Sequence, residues 1–182
     1  SSGAGTTTAG LLFSGEAYPN PSPYQRASTE TWNGSAWTAV NDLNTARQAG
    51  GGGGTQTSAL LAAGEVTGPP TGVGNTESWN GTNWTEVNDL NTARYGGGGT
   101  GIVTAALYFG GDTGSKTGAT EQYNGTNWTE TTDLSTARQY IAGSGTTASA
   151  IAAGGSAVPG ETAVTEEWLG PGVQTTVTFD DS

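Results

Sequence analysis

One phrase is written three times along the chain: TETWNGSAWTAVNDLNTAR at 29–47, TESWNGTNWTEVNDLNTAR at 76–94 and TEQYNGTNWTETTDLSTAR at 120–138. Aligned on the aromatic that follows the acid, Trp32, Trp79, Tyr123 and Trp168 stand 47, 44 and 45 residues apart. That spacing is too long for ankyrin, tetratricopeptide or leucine-rich units. Composition alone points elsewhere: Leu, Ile, Val and Phe make up only 24 of 182 residues beside a net charge of −11, a balance usually read as disorder. A solvated tail has no physical reason to keep its aromatic residues in register, so the repeat argues for a folded chain.

Each unit divides into four short runs. Gly, Thr, Ser and Asn dominate, no apolar stripe of helical period is present, and the runs read as strands. In TESWNGTNWTEV the pair Asn80-Gly81 lies between two runs rich in Thr and Trp, the signal of a tight hairpin, and Asn33-Gly34 and Asn124-Gly125 repeat it. The last unit turns instead through WLGPGVQ into an outer strand VQTTVTF. Before each hairpin comes an apolar run ending in glycine, at 9–15, 58–64, 105–111 and 149–155, which predicts an inner strand. The run after each arginine, such as YGGGGTG at 95–101, predicts an innermost strand where glycine lets neighbouring units approach. A period of 44 to 47 residues with four strands per unit is that of a propeller blade. The expectation is an all-β, single-domain chain, 1–182, of four four-stranded antiparallel blades at about 1–43, 44–90, 91–134 and 135–182. Gly15 aligns with Gly64, which puts Ser1 three residues after the place of the first unit's arginine and predicts that the chain is part of a longer polypeptide.

The run ALYFGG, the aromatic followed by Asn, the Trp five residues on, and then Leu and Arg resemble the kelch-type β-propeller blade. Two features depart from that pattern. The diglycine is complete only at Gly110-Gly111 and Gly154-Gly155, with Ser14-Gly15 and Ala63-Gly64 elsewhere, and the hairpin uses Asn-Gly where many kelch blades have Asp-Pro. The near-identical copies of WNGTNWTEVNDLNTAR, poor in lysine, also resemble repeat segments of structural proteins of tailed bacteriophages. That resemblance implies a virion fibre or decoration protein.

The chain has no cysteine, histidine or methionine, and so lacks most side chains used as nucleophiles, proton shuttles and soft-metal ligands. The expectation is a non-enzymatic chain with no catalytic residue, no cofactor and no metal. Sixteen acidic against 5 basic residues repel phosphate backbones, which argues against nucleic acid as a partner. No apolar run approaches the ~20 residues of a membrane helix, so membrane insertion is not expected. Asp112, Asp180 and Asp181 are too sparse for a calcium loop, and GGGGGT at 50–55 has neither the lysine nor the following helix of a phosphate loop.

Glu30, Glu77 and Glu121 are each followed 17 residues later by Arg47, Arg94 and Arg138. A catalytic group is needed once, and a pair repeated in every blade is read as scaffolding: buried ion pairs within or between blades that fix register. An anion-binding ring of arginines is the competing reading. Asp42, Asp89 and Asp133 are read as turn caps, and Trp37, Trp84 and Trp128 as blade packing rather than a sugar-stacking ladder. Five glycosylation sequons occur, of which turn chemistry already explains the Asn-Gly ones.

Function is expected where the repeat stops repeating. The segments between second and third strands, 16–28, 65–75, 112–119 and 156–163, differ in length and composition and should share one face with the connections between blades. They carry Tyr18, Tyr24, Arg26 and Lys116, the candidate partner-binding residues. The partner expected there is a host-surface glycan, a receptor or a neighbouring virion subunit, another copy of the chain included, at a virion surface or outside the cell. The rival from another class is a secreted bacterial carbohydrate-binding or enzyme-associated propeller module. Neutral drift of exposed loops is the plainest alternative to both.

Overall fold

A computed structural model describes residues 1–17, 24–68, 71–170 and 174–177. The described residues are all β: sixteen strands in four antiparallel sheets of four, arranged as a four-blade β-propeller. Blade 1 contains β1 (Ser2–Gly5), β2 (Gly10–Phe13), β3 (Thr29–Trp32) and β4 (Trp37–Val40). Blade 2 contains β5 (Gly51–Thr55), β6 (Ser58–Glu65), β7 (Gly72–Trp79) and β8 (Trp84–Val87). Blade 3 contains β9 (Gly98–Ile102), β10 (Ala105–Asp112), β11 (Lys116–Tyr123) and β12 (Trp128–Glu130). Blade 4 contains β13 (Ala142–Gly145), β14 (Ala150–Ala153), β15 (Thr165–Trp168) and β16 (Gln174–Val177). In each sheet the strands lie side by side in chain order, from the axis outwards.

The Asn-Gly hairpins form by different chemistry from a two-residue turn. Trp32 pairs with Trp37 and Trp79 with Trp84, leaving four-residue loops in which only the glycine takes positive φ, +94° at Gly34 and +93° at Gly81. The asparagine acts through its side chain. Asn80 Oδ1 accepts the backbone N–H groups of Thr82 and Asn83, both at 2.9 Å, and Asn33 and Asn124 do the same in their loops.

Glycine brings the innermost strands together as expected. A Cβ on Gly51 would stand 2.8 Å from the backbone nitrogen of Gly99, so β5 and β9 touch backbone to backbone. The diglycine position is a backbone requirement that other residues can meet. Ser14 and Ala63 adopt left-handed φ values of +58° and +60°, close to +65° at Gly110 and +62° at Gly154.

Three apolar cores hold the blades together, and they lie between blades. Alternation along the second strand serves two of them at once. In β6, Leu61 turns back to join Phe13 and Trp84 at the junction of blades 1 and 2, while Leu60 turns forward to join Tyr108 and Trp128 at the junction of blades 2 and 3. Leu107 and Phe109 meet Ile141, Ala150 and Trp168 at the junction of blades 3 and 4. Among the described residues no hydrogen bond, ion pair or core cluster joins blade 4 to blade 1.

Candidate functional site

The repeated charges are scaffolding of a particular kind. Each blade-to-blade connector lays its arginine onto the third strand of the blade that follows, giving the pairs Arg47–Glu77, Arg94–Glu121 and Arg138–Glu166. All three arginines are fully buried. Arg94 donates to Glu121 Oε1 at 2.5 Å, to the carbonyl oxygens of Gly110 and Thr92 at 3.1 and 3.0 Å, and lies 5.0 Å from the centre of the Tyr108 ring. The other Glu121 oxygen accepts the backbone and side-chain N–H groups of Asn91, both at 2.8 Å. With every polar atom answered, a pair that would otherwise be costly to bury becomes a register device. No arginine guanidinium of this series is open to an anion.

One member of the predicted series is corrected. Glu30 is half-buried and pairs with no arginine among the described residues; the third carboxylate is Glu166, two residues before Trp168 as Glu77 is before Trp79. The altered hairpin WLGPGVQ hid that correspondence. Burial works to raise the Glu166 pKa, but hydrogen bonds from Arg138 and Ser135 outweigh it and hold the carboxyl below the usual range. Asp42, Asp89 and Asp133 accept the backbone N–H groups of Thr29, Thr76 and Thr120 at 3.2, 3.1 and 3.1 Å, so they cap the third strand of their own blade rather than the turn between blades.

The loops between second and third strands do share a face with the connectors. Gly15 N donates to Arg47 O at 3.0 Å and Arg26 N to Gly15 O at 2.8 Å, while Gln48 Nε2 reaches Glu65 Oε2 at 2.9 Å. Of the four loop residues singled out in the sequence, Tyr18 lies outside the described residues. Tyr24 and Arg26 are half-buried in blade 1. Lys116 opens β11, and its ammonium donates to Ser156 Oγ at 2.8 Å and to Ala157 O, tying blade 3 to blade 4. Among the described residues no hydrogen bond, ion pair or ring contact joins Tyr24, Arg26 and Lys116 into one site.

A different set does converge on that face. The positions one and two after each arginine read Gln48-Ala49, Tyr95-Gly96 and Gln139-Tyr140. Gly96 N donates to Ala49 O at 2.7 Å and Tyr140 N to Gly96 O, a chain of bonds that runs from connector to connector. Tyr95 bridges to Asp112, and the carboxylates of Asp112 and Glu65 lie close enough to both tyrosines to push their phenols up, after burial as the first cause. Tyr140 is 61% exposed. Tyr95 and Asp112, with Thr71, Ala93 and Thr113, line an open cleft of about 410 Å³. Two phenol rings next to two carboxylates can stack on a flat apolar surface and accept hydrogen bonds from hydroxyl groups. The sequence held a signal for this set: after an otherwise copied phrase, the pair of residues following the arginine differs in each unit, although Gln recurs at the first position.

No protein-family model matches the chain, and no curated protein matches it.

Proposed function

We propose that the chain is a non-enzymatic structural and attachment module, a kelch-like propeller of a phage virion fibre or decoration protein, at a virion surface or outside the cell. Its scaffold holds the loop face rigid, and that face meets a host-surface glycan, a receptor or a neighbouring subunit. The observation that carries this reading is the division of labour in the repeat. The copied residues are spent on buried clamps and packing, whereas Tyr95 and Tyr140, which are not copied from unit to unit, lie on the loop face near the carboxylates of Glu65 and Asp112, and Tyr95 and Asp112 line an open cleft there. A sugar ring suits this chemistry, with its C–H face on a phenol and its hydroxyl groups donating to the carboxylates.

The test is binding of the labelled chain to a glycan array and to bacterial cells, repeated with Tyr95→Ser plus Tyr140→Ser. Saccharide or cell binding that falls at least about tenfold in the double variant, a loss of roughly 1.4 kcal/mol, supports the reading. Absence of binding to any surface, or binding that the double variant retains in full, overturns it. Glycan binding joined to reproducible turnover would move the chain to the rival class, a secreted carbohydrate-active module.

A further inference from the structure

The first two internal junctions are built from the same two complementary faces, and the third keeps the leucine-and-threonine face but meets a single aromatic, Trp168, in place of a pair. The forward face presents the leucine of the second strand and the threonine that opens the third: Leu11 with Thr29, Leu60 with Thr76, Leu107 with Thr120. The backward face presents the paired aromatics of the hairpin, Trp79 with Trp84 and Tyr123 with Trp128, at centroid separations of 5.5 and 5.0 Å. Where the faces meet, the indole N–H of Trp84 donates to Thr29 Oγ1 at 2.9 Å and that of Trp128 to Thr76 Oγ1 at 3.2 Å.

Two such faces are left uncovered. Blade 1 turns its backward face outward, where Trp37 is 48% exposed although Trp84 and Trp128 in the same place are each 5% exposed. Its ring stays paired with Trp32 at 5.5 Å, in the geometry of the buried pairs. Blade 4 turns its forward face outward, where Ile151 is 46% exposed although Leu11, Leu60 and Leu107 are 2%, 3% and 1% exposed. Thr165, at the position of Thr29, opens β15 beside it; it is itself only 8% exposed, and like Thr120 it receives no indole N–H among the described residues. The two open faces are the two halves of the same junction, both on one chain, and among the described residues no hydrogen bond, ion pair or core cluster joins them.

We propose that these faces meet between molecules: blade 4 of one copy of the chain seats on blade 1 of the next, with Ile151 against the Trp32–Trp37 pair and the Trp37 indole donating to Thr165. The contact is head-to-tail, so it builds a ring or a short filament of propellers rather than a two-fold dimer. Continuity with the three internal junctions identifies the occupant, because each of those is already a blade of this repeat seated on the next. Among the described residues Glu30 has no arginine partner, so the proposed contact is drawn without the clamp of the internal junctions. Association therefore rests on the apolar and indole contacts, which makes it reversible and concentration-dependent. The inference does not depend on the loop face or on the ligand bound there.

The experiment measures mass in solution, by sedimentation and native mass spectrometry from dilute to concentrated chain, for the wild type, Trp37→Ser and Ile151→Asp. Both side chains are solvent-exposed in the single propeller, so circular dichroism should show each variant folded. The wild type is expected to self-associate, and each variant to lose at least about tenfold in association, equivalent to roughly 1.4 kcal/mol. An equimolar mixture of the variants should then form a one-to-one pair, since each retains the face that the other lacks. A wild type that stays monomeric at every concentration, variants that associate as it does, or a mixture that stays monomeric would overturn the proposal. The chain has no cysteine, so Trp37→Cys with Ile151→Cys, both at exposed positions, can be bridged by a short bismaleimide. Bridging between molecules supports the proposal; bridging only within one molecule shows a ring closed on itself and rejects it.

Discussion

Trp37 and Trp84 occupy the same place in neighbouring blades, after nearly the same words, yet one is 48% exposed and the other 5%. Their blades differ little. What differs is the surface in front of them: Trp84 packs edge-on against Phe13 of the preceding blade, with ring centroids 4.9 Å apart, whereas among the described residues no blade covers Trp37. Glu30 and Glu77 repeat the contrast in charge, the first half-buried and unclamped, the second 1% exposed under Arg47. A residue of this repeat thus gains its energetic weight from the junction it enters, and the same substitution should cost very different amounts in blades 1 and 2.

The largest difference is expected at the carboxylates. Glu77→Gln leaves the fully buried Arg47 without its counter-charge and should cost about 3–5 kcal/mol, whereas Glu30→Gln should fall within about 0.5 kcal/mol of the parent. Urea unfolding of the two variants in dilute solution measures both, and equal losses would show that the clamp contributes nothing specific. Replacing Arg47 by Met together with Glu77 by Leu should cost less than Glu77→Gln alone, because no charge is stranded. Acid opens the clamp of the last junction without mutation. The folded chain holds the Glu166 carboxyl below its ordinary value of 4.5, so the unfolded chain takes up that proton first. The contribution of Glu166 is complete above that value and fades as the pH falls through the lower, folded one. Hydrogen exchange in β14 and β15 should rise over that acid range, and rates that do not depend on pH there, once corrected for intrinsic exchange, would contradict it.

Next in size are the tryptophans. Trp84→Ala empties a core shared by two blades and should cost about 3 kcal/mol or more. Trp37→Ala loses chiefly its contact with Trp32 and should cost about 1 kcal/mol. Thermal unfolding of both in dilute solution would expose a covered Trp37 as a loss equal to that of Trp84.

Much of this was legible in the sequence, because period, glycine placement and aromatic register are all local signals repeated often enough to be read. The inner runs at 58–64 and 105–111 became β6 and β10, and the post-arginine glycines became β9. What the words could not show was which blade each side chain would face. Glu30 carries the same phrase as Glu77, and only the position of the neighbouring blade separates a clamp from an idle acid. Glu166 was missed for the opposite reason, a conserved contact under altered wording. Lys116 looked available in a variable loop, but its long stem lets the ammonium reach Ser156 across the blade boundary. Tyr95 and Tyr140 were passed over because the tyrosines sit inside the framework, and their convergence with Glu65 and Asp112 depends on the curvature of the whole array.

A smaller effect is expected at the threonines that receive the indoles. Thr29→Val keeps the shape but leaves the buried Trp84 N–H without an acceptor, which should cost about 1–3 kcal/mol. Thr165, 8% exposed, receives no such donor among the described residues, so Thr165→Val strands no indole N–H and in dilute solution should cost less than Thr29→Val, about 1 kcal/mol or below. Calorimetry of both variants separates the cases, and a loss at Thr165 equal to that at Thr29 would mean that blade 4 is already covered within one molecule.

The smallest expected effect lies in the connectors themselves. Two residues after each arginine the backbone takes left-handed φ, +53° at Ala49 in the first connector, +70° at Gly96 in the second and +57° at Tyr140 in the third. For Ala49 that conformation costs about 1 kcal/mol, since its Cβ crowds the following carbonyl. Glycine would relieve the crowding but adds freedom to the unfolded chain worth roughly 0.4–1 kcal/mol, so Ala49→Gly should leave stability within about 0.5 kcal/mol of the parent. The reverse change does not cancel in this way. Gly96→Ala takes on the strain and also places a Cβ 3.3 Å from Cε1 of Tyr140, so it should lose about 1 kcal/mol. The midpoint of urea unfolding resolves the two. A clear loss in Ala49→Gly with none in Gly96→Ala would show that the tyrosine ring moves aside freely and that the connector turn carries no strain.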